Sequence, residues 1–383
     1  MSSIAVTGTK GKTTILRLIN DCLVENSHDV ACVYTEGITH NSDIITEQRK
    51  ISNYADVKYI AAEHYLIEAT SYMLSKGNFD SSNFDAVILN DIEPYEHAEI
   101  HRNFVAYFHA KKRILRLRKE GAPAFVNRDS EYYDKFVDQM DGPIISYGVS
   151  EDASCNVRVD EINADKMHLT LRYKDRSYSL DTSLLGEYNA VNIAAAFACL
   201  VEMGVDPENV CESLQRFQGV EGRMERYSLS GNRVVAVDYA HTPNSLAKVI
   251  DLLKQLYPEK KMITLFGCGG NKSKYKRPRM GAIASDKSDK VYVTNDNPRK
   301  ENPMNIFEHI ISGMSNRNYV TEPVRKRAIL KAVKENPDSV ILLAGKGAEK
   351  YTIDLRGQTK PGSDADMLHG VCVELDLTME KIQ

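Results

Sequence analysis

Short apolar runs alternate with helix-period segments through roughly the first 150 of the 383 residues. The run Ile4–Val6 is followed, after a polar loop, by apolar residues spaced along one helix face from Ile15 to Leu23. Val30–Tyr34, Ala86–Leu89 and Ala124–Val126 are further apolar runs typical of buried strands, and the segments between them are helical in pattern. This alternation predicts a parallel, doubly wound sheet.

The pattern changes after residue 153. Val157 and Val159, and then the stretch Leu169–Tyr173, alternate with polar residues as half-buried strands do. Asn163–Asp165 and Lys174–Asp175 have the composition of turns. This part of the chain is therefore expected to form antiparallel strands.

The second half of the chain repeats the strand and helix alternation. The alanine-rich segment Asn189–Met203 predicts a buried helix, and the polar, glycine-bearing stretch Gly219–Ser230 is a candidate linker. Apolar strand-like runs follow at Val234–Val237, Met262–Phe266, Val291–Val293 and Val340–Leu343. After Gly357 the periodicity is weak, which favours a loop with one last strand or helix.

The length is sufficient for two or three domains with substantial cores. We predict an α/β chain: a central P-loop-type doubly wound ATPase domain over 1–228, followed by a smaller Rossmann-like α/β C-terminal domain over 229–383.

Net charge, cysteine count and the lengths of the apolar runs argue against several classes of function. The formal net charge is −4, which does not indicate a general nucleic-acid or membrane-surface role. The seven cysteines are odd in number and show no C-x-x-C spacing, so neither a disulfide framework nor a zinc site is expected. No apolar run approaches the roughly 20 residues that cross a bilayer, and no signal peptide is recognised. A reducing cytoplasm is the expected location.

The segment GTKGKTT, between the first strand and the first helix, is the strongest chemical signal. Gly8 and Gly11 allow a tight turn that brings backbone N–H groups close to an anion, and the helix N-terminus adds partial positive charge. Lys12 is placed to reach terminal phosphates, and the Thr13 hydroxyl to hold Mg²⁺. Val6 stands where the full P-loop pattern has its first glycine, so an ordinary glycine turn before a helix is the alternative.

Other motifs form one ordered set with this loop. In chain order they are EATS at 68–71, LND at 89–91, EHAEIH at 96–101, FHAKKRIL at 108–115, GEYNAVN at 186–192, GRMER at 222–226, VDYAHTP at 237–243, FGCGGNKSKYKRPRMG at 266–281, TNDNPRKENP at 294–303 and AGKGAEKY at 344–351. In order and spacing the set resembles the Mur ligase family over nearly all of the chain. It is most similar to the MurE type, which adds the third residue of the peptidoglycan stem peptide.

The resemblance implies an ATP-dependent amide-bond ligase. Such enzymes phosphorylate an acceptor carboxylate with ATP, and an amine then attacks the acyl phosphate, releasing ADP and phosphate. By similarity Thr13 and Glu68 hold one Mg²⁺, and His97 holds a second. Lys111 matches the lysine that the family carbamylates with CO₂, so that it bridges the metals as a carboxylate-like group. Lys112 is the adjacent alternative, and a surface loop histidine and a basic helix face are the alternatives for His97 and Lys111.

The resemblance also assigns binding roles. Lys12, Lys111 and His97 are the implied catalytic residues. The residues implied to contact ATP are Gly8, Thr9, Lys10, Gly11, Lys12, Thr13, Thr14, Asn189, Asn192, Arg223, Asp238 and His241. Those implied to hold the incoming amino acid are Asp296, Asn297, Arg299, Gly345 and Glu349. The complete DNPR string favours an amine with an extra carboxylate, as in relatives that take meso-diaminopimelate, and Asn189 has the alternative role of a helix cap.

MurE-type enzymes begin with a domain that binds the UDP-sugar, whereas this sequence begins in the phosphate loop. The expected substrates are therefore an amino acid and a carboxylate acceptor of unidentified kind, with a partner protein that supplies acceptor recognition as the other option. Two further hypotheses stay open. One is a polyglutamylating ligase similar to folylpolyglutamate synthase, and the other is a non-catalytic ATP-binding subunit.

Overall fold

The computed structural model describes residues 1–35, 37–46, 60–94, 100–354 and 356–382. The chain forms two compact units, the first made of Met1–Pro94 and Ile100–Gln218, and the second of Gly219–Gln383. The functional assignment of 1–228 to ATP and of 229–383 to the amino acid stays a prediction.

An eleven-stranded sheet forms the centre of the first unit, in the order β11-β10-β9-β8-β7-β6-β1-β5-β2-β3-β4. Its strands are β1 Ser2–Thr7, β2 Val30–Tyr34, β3 Gly37–His40, β4 Asp43–Thr46, β5 His64–Glu68, β6 Ala86–Leu89, β7 Ala124–Asn127, β8 Ile144–Gly148, β9 Cys155–Ile162, β10 Met167–Tyr173 and β11 Arg176–Thr182. The run from β2 through β5, β1, β6, β7 and β8 to β9 is parallel, and the flanking strands at both edges are antiparallel. The doubly wound sheet expected from the sequence is confirmed.

Helices cover this sheet. They are α1 Lys12–Glu25, α2 Ser71–Ser75, α3 Phe104–Lys112, α4 Tyr133–Val137, α5 Glu187–Glu202 and α6 Pro207–Arg216. The first helix forms because its apolar positions fall on one face, and Ile15, Leu16, Ile19 and Leu23 of that face are fully buried. The turn at Lys174–Asp175 has two residues with positive φ, which suits the tight connection between β10 and β11.

The second unit contains a seven-stranded sheet in the order β16-β15-β14-β17-β13-β12-β20, and a separate hairpin β18-β19. The strands are β12 Glu225–Leu229, β13 Arg233–Asp238, β14 Lys261–Phe266, β15 Lys290–Val293, β16 Tyr319–Thr321, β17 Ser339–Ala344, β18 Tyr351–Ile353, β19 Thr359–Pro361 and β20 Met379–Ile382. The helices are α7 Pro243–Leu256, α8 Lys276–Lys287, α9 Pro303–Ile311, α10 Arg325–Glu335 and α11 Asp364–Glu374. Strands β13 to β17 pair in parallel, as a Rossmann-like unit requires.

Two local predictions need correction. The stretch Gly219–Ser230 is not simply a linker, because Glu225–Leu229 forms β12, which pairs antiparallel with β13 and β20. The stretch after Gly357 contains β19, α11 and β20, so it holds both a helix and a last strand.

All seven cysteines are buried as free thiols. Across the ranges that the structure describes, we find no helix with the length and apolar character needed to span a bilayer.

Candidate active site

The carboxyl ends of three neighbouring parallel strands meet at one edge of the first sheet. In the sheet register Val6 lies beside Glu68, and Thr7 lies beside Leu89. Gly8, Glu68 and Asn90 therefore leave β1, β5 and β6 at adjacent positions. This edge, where the chain order reverses across β1, is where doubly wound sheets bind their ligands.

The phosphate loop holds a cation and a carboxylate in close range. The Lys12 ammonium donates to the carbonyl of Gly8 at 3.0 Å and lies 3.7 Å from Glu68 Oε1. The Thr13 hydroxyl donates to Glu68 Oε2 at 3.3 Å. Glu68 is buried, so its charge is balanced by these neighbours and not by bulk water.

Gly11 has a specific steric reason to be glycine. Its φ is +81°, and a Cβ there would lie 2.3 Å from Asn90 Nδ2 and 2.4 Å from Asn192 Oδ1. The absent side chain thus allows two buried amides to pack directly beneath the loop.

These amides belong to a chain of hydrogen bonds. Asn192 Nδ2 donates to Asn189 Oδ1 at 3.3 Å, and Asn90 Nδ2 donates to Asn192 Oδ1 and to the Lys10 carbonyl, each at 3.1 Å. Asn127 Nδ2 donates to Asn90 Oδ1 at 3.2 Å. The Asn90 side chain thus holds the phosphate loop in place by donating to a backbone carbonyl of the loop.

Sequence reasoning missed Asn90 and Asn127 as site residues. The available signal was the position of Asn90 directly after an apolar strand. The alternative role of Asn189 as a helix cap is wrong, because α5 begins after Gly186 and Asn189 Nδ2 donates to the Leu185 carbonyl at 2.9 Å.

Lys111 lies against the same loop from α3. Its side chain is 1% exposed, and Nζ donates to the Gly8 carbonyl at 2.7 Å and to Thr7 Oγ1 at 3.1 Å. Burial lowers the pKa of Lys111 well below its usual range, and the neighbouring Lys12 charge lowers it further. The structure thus brings Lys111 to the loop, whereas the Lys112 ammonium donates to the carbonyls of Lys135 and Asp138.

Thr9 and Thr14 were also predicted to contact ATP, whereas His97, predicted as a catalytic residue and metal ligand, lies outside the described residues. The Thr9 hydroxyl is within 2.7 Å of the Tyr107 hydroxyl, and it accepts from the Glu93 amide at 2.9 Å. Thr14 is buried in the first turn of α1. Nothing in the described residues bears on His97.

Within the second unit the predicted nucleotide residues gather around Tyr239. The Arg223 guanidinium lies 4.1 Å from the centre of the Tyr239 ring, and the His241 ring contacts the same tyrosine edge-on. Both carboxylate oxygens of Asp238 accept backbone N–H groups, from Met224 at 2.8 Å and Ala240 at 2.7 Å. Asp238 therefore organises its own turn, and the assignment of these residues to ATP stays a prediction.

The residues predicted to hold the amino acid converge at the carboxyl edge of the second sheet. Asn297 Nδ2 donates to Glu349 Oε2 at 2.7 Å, and Asn297 Oδ1 accepts the Ile353 amide at 2.8 Å. A Cβ on Gly345 would lie 3.1 Å from Asp296 Oδ2, so this glycine keeps the carboxylate close to β17. The Arg299 Nη1 donates to the Gly270 and Asn297 carbonyls at 3.1 and 3.2 Å.

Two cations near this cluster were missed by sequence reasoning. Lys346 is fully buried, and its Nζ donates to the Tyr351 carbonyl at 2.6 Å and lies 3.5 Å from Glu349 Oε2. The buried Arg325 forms a two-point ion pair with Asp364 and also acts on Asp296 electrostatically. Burial raises the pKa of Glu349, and the Asp296 charge raises it further. The cluster therefore combines buried cations and carboxylates at one edge of the second sheet.

A buried ion pair fixes the glycine loop beneath Arg299. Arg277 is fully buried, and its guanidinium donates to both carboxylate oxygens of Glu301 at 2.7 and 2.8 Å. It also donates to the Gly269 carbonyl at 3.2 Å, and Glu301 accepts the Asn271 amide at 3.1 Å. The pair therefore connects 269–271 to the chain that follows DNPR.

We expect Glu301→Ala to destabilise the second unit by about 3 kcal/mol, because it leaves a buried guanidinium unpaired. Thermal or urea unfolding of the purified variant measures this. Glu308→Ala, a carboxylate on the exposed face of α9, is the control and should change stability by less than about 0.5 kcal/mol. Equal stability of Glu301→Ala and the parent would contradict the importance of the pair.

The same pair predicts a pH dependence. Hydrogen bonds from Arg277 lower the pKa of Glu301 from 4.5 to about 2. A carboxylate with a lowered folded-state pKa adds stability above its unfolded pKa and loses it as pH falls toward the folded value. The stability difference between the parent and Glu301→Ala should therefore shrink between pH 4.5 and about 2.

Comparison with known proteins agrees with this geometry. Residues 6–200 match the Mur ligase middle domain, and residues 222–347 match the domain described as "Mur ligase, glutamate ligase domain". The chain is 31% identical over 363 residues to UDP-N-acetylmuramyl-tripeptide synthetase 2 of Oceanobacillus iheyensis, covering 91% of this chain and 73% of the relative.

Two further similarities agree with these matches. The chain is 33% identical over 368 residues to UDP-N-acetylmuramoyl-L-alanyl-D-glutamate--2,6-diaminopimelate ligase of Chlamydia muridarum, covering 91% of this chain and 74% of the relative. A solved structure of a ligase with the same printed name superposes with a TM-score of 0.66 at 25% identity, over 98% of this chain and 79% of the other. The chain therefore belongs to the Mur ligase family of ATP-dependent, ADP-forming acid–amino-acid ligases.

Proposed function

We propose that this chain joins an amino acid that carries a second carboxylate, of the 2,6-diaminopimelate kind, to a carboxylate acceptor through an acyl phosphate. The observation that carries the proposal is the cluster of Asn297, Arg299 and Glu349 in the second unit, described above. It combines a guanidinium with a carboxylate, and a diamino acid that carries two carboxylates has groups of both charges.

ATP would bind on the phosphate loop of the first unit. The loop leads directly into α1, whose N-terminus has no side-chain cap, and Lys12 supplies a positive charge there. Transfer of the γ-phosphoryl group needs mainly positioning and charge neutralisation. Lys12 would release the Gly8 carbonyl and move its ammonium onto the phosphate oxygens.

Thr13 and Glu68 fit a magnesium ion. Their oxygens are 3.3 Å apart, both are hard ligands, and the Glu68 carboxylate is buried at the end of a strand. Bound Mg²⁺ would neutralise charge on the transferred phosphoryl group. The predicted role of His97 toward a second ion stays a proposal.

Carbamylation of Lys111 is also part of the proposal. The lowered pKa leaves its amine neutral in more of the molecules at neutral pH, and only the neutral amine has a lone pair to attack the carbon of CO₂. The product keeps one N–H and carries one negative charge, and one proton goes to solvent. The N–H that remains could keep the hydrogen bond to Gly8 or Thr7.

On the amine side, Arg299 would hold the distal carboxylate and Glu349 the ammonium that does not react. The backbone of Arg299 has φ +53°, so the loop positions the guanidinium by an uncommon conformation for a residue with a side chain. A guanidinium fork binds a carboxylate with two parallel hydrogen bonds.

We expect Arg299→Ala to raise the KM for the amino acid by about one to two orders of magnitude, because charge-assisted bonds contribute roughly 1.5–3 kcal/mol. The KM for ATP should change little. Lys300→Ala removes the exposed neighbouring cation and serves as the control. Arg299→Lys keeps the charge but lacks the two-pronged guanidinium, so its KM for the amino acid should lie between those of Arg299→Ala and the parent. An unchanged amino-acid KM in Arg299→Ala would contradict the role.

The test of the whole proposal is phosphate release measured over a matrix of amines and acceptors. The amines are 2,6-diaminopimelate, lysine and glutamate, and the acceptors are UDP-N-acetylmuramoyl-L-alanyl-D-glutamate and the free L-alanyl-D-glutamate dipeptide. ADP formation that needs both substrates and is fastest with diaminopimelate is expected. Repeated addition of glutamate would favour the polyglutamylating alternative. Turnover only after adding a cell extract would indicate a partner protein that supplies acceptor recognition.

A further inference from the structure

Two histidines and a glutamate meet at the amino end of β5, at the opposite end of this strand from Glu68. His28 lies between α1 and β2, Glu63 directly precedes β5, and His64 is its first residue. The amides of Glu63 and His64 both donate to the Asp29 carbonyl, at 2.9 and 3.0 Å. The backbone therefore holds the two segments together independently of the side chains.

The spacing of the three side chains suits a small cation. His28 Nδ1 is 3.3 Å from His64 Nε2 and 3.3 Å from Glu63 Oε2, and the three ligand atoms all lie within 4.8 Å of one another. In a tetrahedral zinc site with bonds of about 2.0–2.1 Å, neighbouring ligand atoms are roughly 3.3–3.4 Å apart. Two of the three separations already have this length.

Hydrogen bonding alone does not satisfy this arrangement. His28 Nδ1 either donates one hydrogen or accepts one. As a donor it must share that hydrogen between the Glu63 carboxylate and His64 Nε2, and as an acceptor from His64 Nε2 it faces the carboxylate with no hydrogen between them. A cation at the centre would instead accept a lone pair from each of the three atoms.

Outer contacts orient the ligands as metal sites require. His64 Nδ1 lies 2.7 Å from the Ser2 hydroxyl, so a hydrogen on Nδ1 can be donated there and Nε2 then keeps its lone pair facing His28. Glu63 Oε2 accepts the Asp29 amide at 3.3 Å. The side chains of His28 and Glu63 are 38% and 60% exposed, which gives an ion access from solvent.

We propose that His28, Glu63 and His64 bind a divalent transition metal ion of the zinc class, with water completing the coordination. Imidazole and carboxylate are suitable ligands for zinc. The ion would fasten the connection after α1 to the start of β5. From His64 to Glu68 the strand spans roughly 13 Å, so this site would be separate from the magnesium ligands.

The test is calorimetric titration with Zn²⁺ of the chain carrying no histidine tag, in buffer with excess Mg²⁺ to occupy the site at Glu68. One saturable equivalent is expected, with a rise in Tm. His28→Gln and His64→Gln should each weaken the affinity for Zn²⁺ by more than tenfold. The double variant should show no saturable binding of Zn²⁺. His168→Gln is the control, because His168 is also half-exposed and paired with a carboxylate, Asp181.

Ser2 provides a test that separates positioning from folding. Ser2→Ala should weaken zinc binding by about 10- to 100-fold, while the Tm of the zinc-free protein stays unchanged. Ser2→Thr keeps the hydroxyl and should restore the affinity. Absence of saturable binding, an unchanged affinity in the folded double variant, or anomalous scattering that locates zinc elsewhere would overturn the proposal.

Discussion

Replacing Lys111 by alanine is expected to reduce kcat by about 10²- to 10³-fold, the loss typical of removing one preorganised charged group from an active site. Lys111 Nζ donates to the Gly8 carbonyl and to Thr7 Oγ1, at the loop that would hold the phosphates. Its carbamate would place negative oxygens among the cations there. Steady-state phosphate release measures the effect.

Matched variants separate chemistry from packing. Lys111→Met keeps most of the buried volume and should be as inactive as Lys111→Ala. Lys112→Ala should stay active, because the Lys112 ammonium donates to the carbonyls of Lys135 and Asp138. Small carboxylic acids should restore part of the activity of Lys111→Ala, and bicarbonate should not. An inactive Lys112→Ala beside an active Lys111→Ala would reverse the assignment.

The pKa of Lys111 gives this prediction a pH dependence. Below its pKa the amine is protonated and does not react with CO₂; above its pKa the amine is neutral and reacts. Because burial lowers the pKa well below the usual 10.5, carbamylation should appear as pH rises through a range lower than that of an exposed lysine. Activity of the parent should fall in CO₂-depleted buffer and return with bicarbonate.

The sequence predicted the central strands of both sheets because strands such as β2, β6 and β7 are short, mostly apolar and buried along their whole length. Val30–Tyr34 and Ala86–Leu89 are strands with the predicted bounds. The error at Gly219–Ser230 has a physical reason. Strand β12 has the sequence ERYSL, in which three of five residues are polar. Its buried apolar residues are Tyr227 and Leu229. Two apolar residues are too few to distinguish a strand from a linker.

The sequence predicted those parts of the candidate site whose residues lie close together along the chain. Gly8, Gly11 and Lys12 belong to one short loop, so their spacing indicated a phosphate site. The support beneath the loop depends on contacts distant in sequence, such as Asn90 with Asn192. Arg277 and Glu301 are likewise joined only by the fold. Such pairs depend on how helices and loops pack in the folded chain, which spacing along the sequence does not reveal.

Replacing Lys12 by alanine is expected to lower kcat by about 10³-fold with the fold intact, because it deletes the charge that would stabilise the transferred phosphoryl group. The side chain is 16% exposed, and its ammonium lies 3.0 and 3.4 Å from the carbonyls of Gly8 and Thr9 and 3.7 Å from Glu68 Oε1, so the substitution removes a positive charge from the loop itself. Rapid-quench measurement of ADP formation at saturating ATP isolates the chemical step.

The predicted loss of kcat depends on the positive charge at position 12 and not on the volume of the side chain. Lys12→Met keeps the volume and should be as slow as Lys12→Ala. Lys10→Ala should retain most activity, because Lys10 contacts Asn90 through its backbone carbonyl, which the substitution leaves in place. Glu68 would lose its neighbouring cation in Lys12→Ala, so magnesium affinity should hold or rise while turnover falls. A Lys12→Ala enzyme with normal turnover would show that the loop binds a ligand without assisting its chemistry.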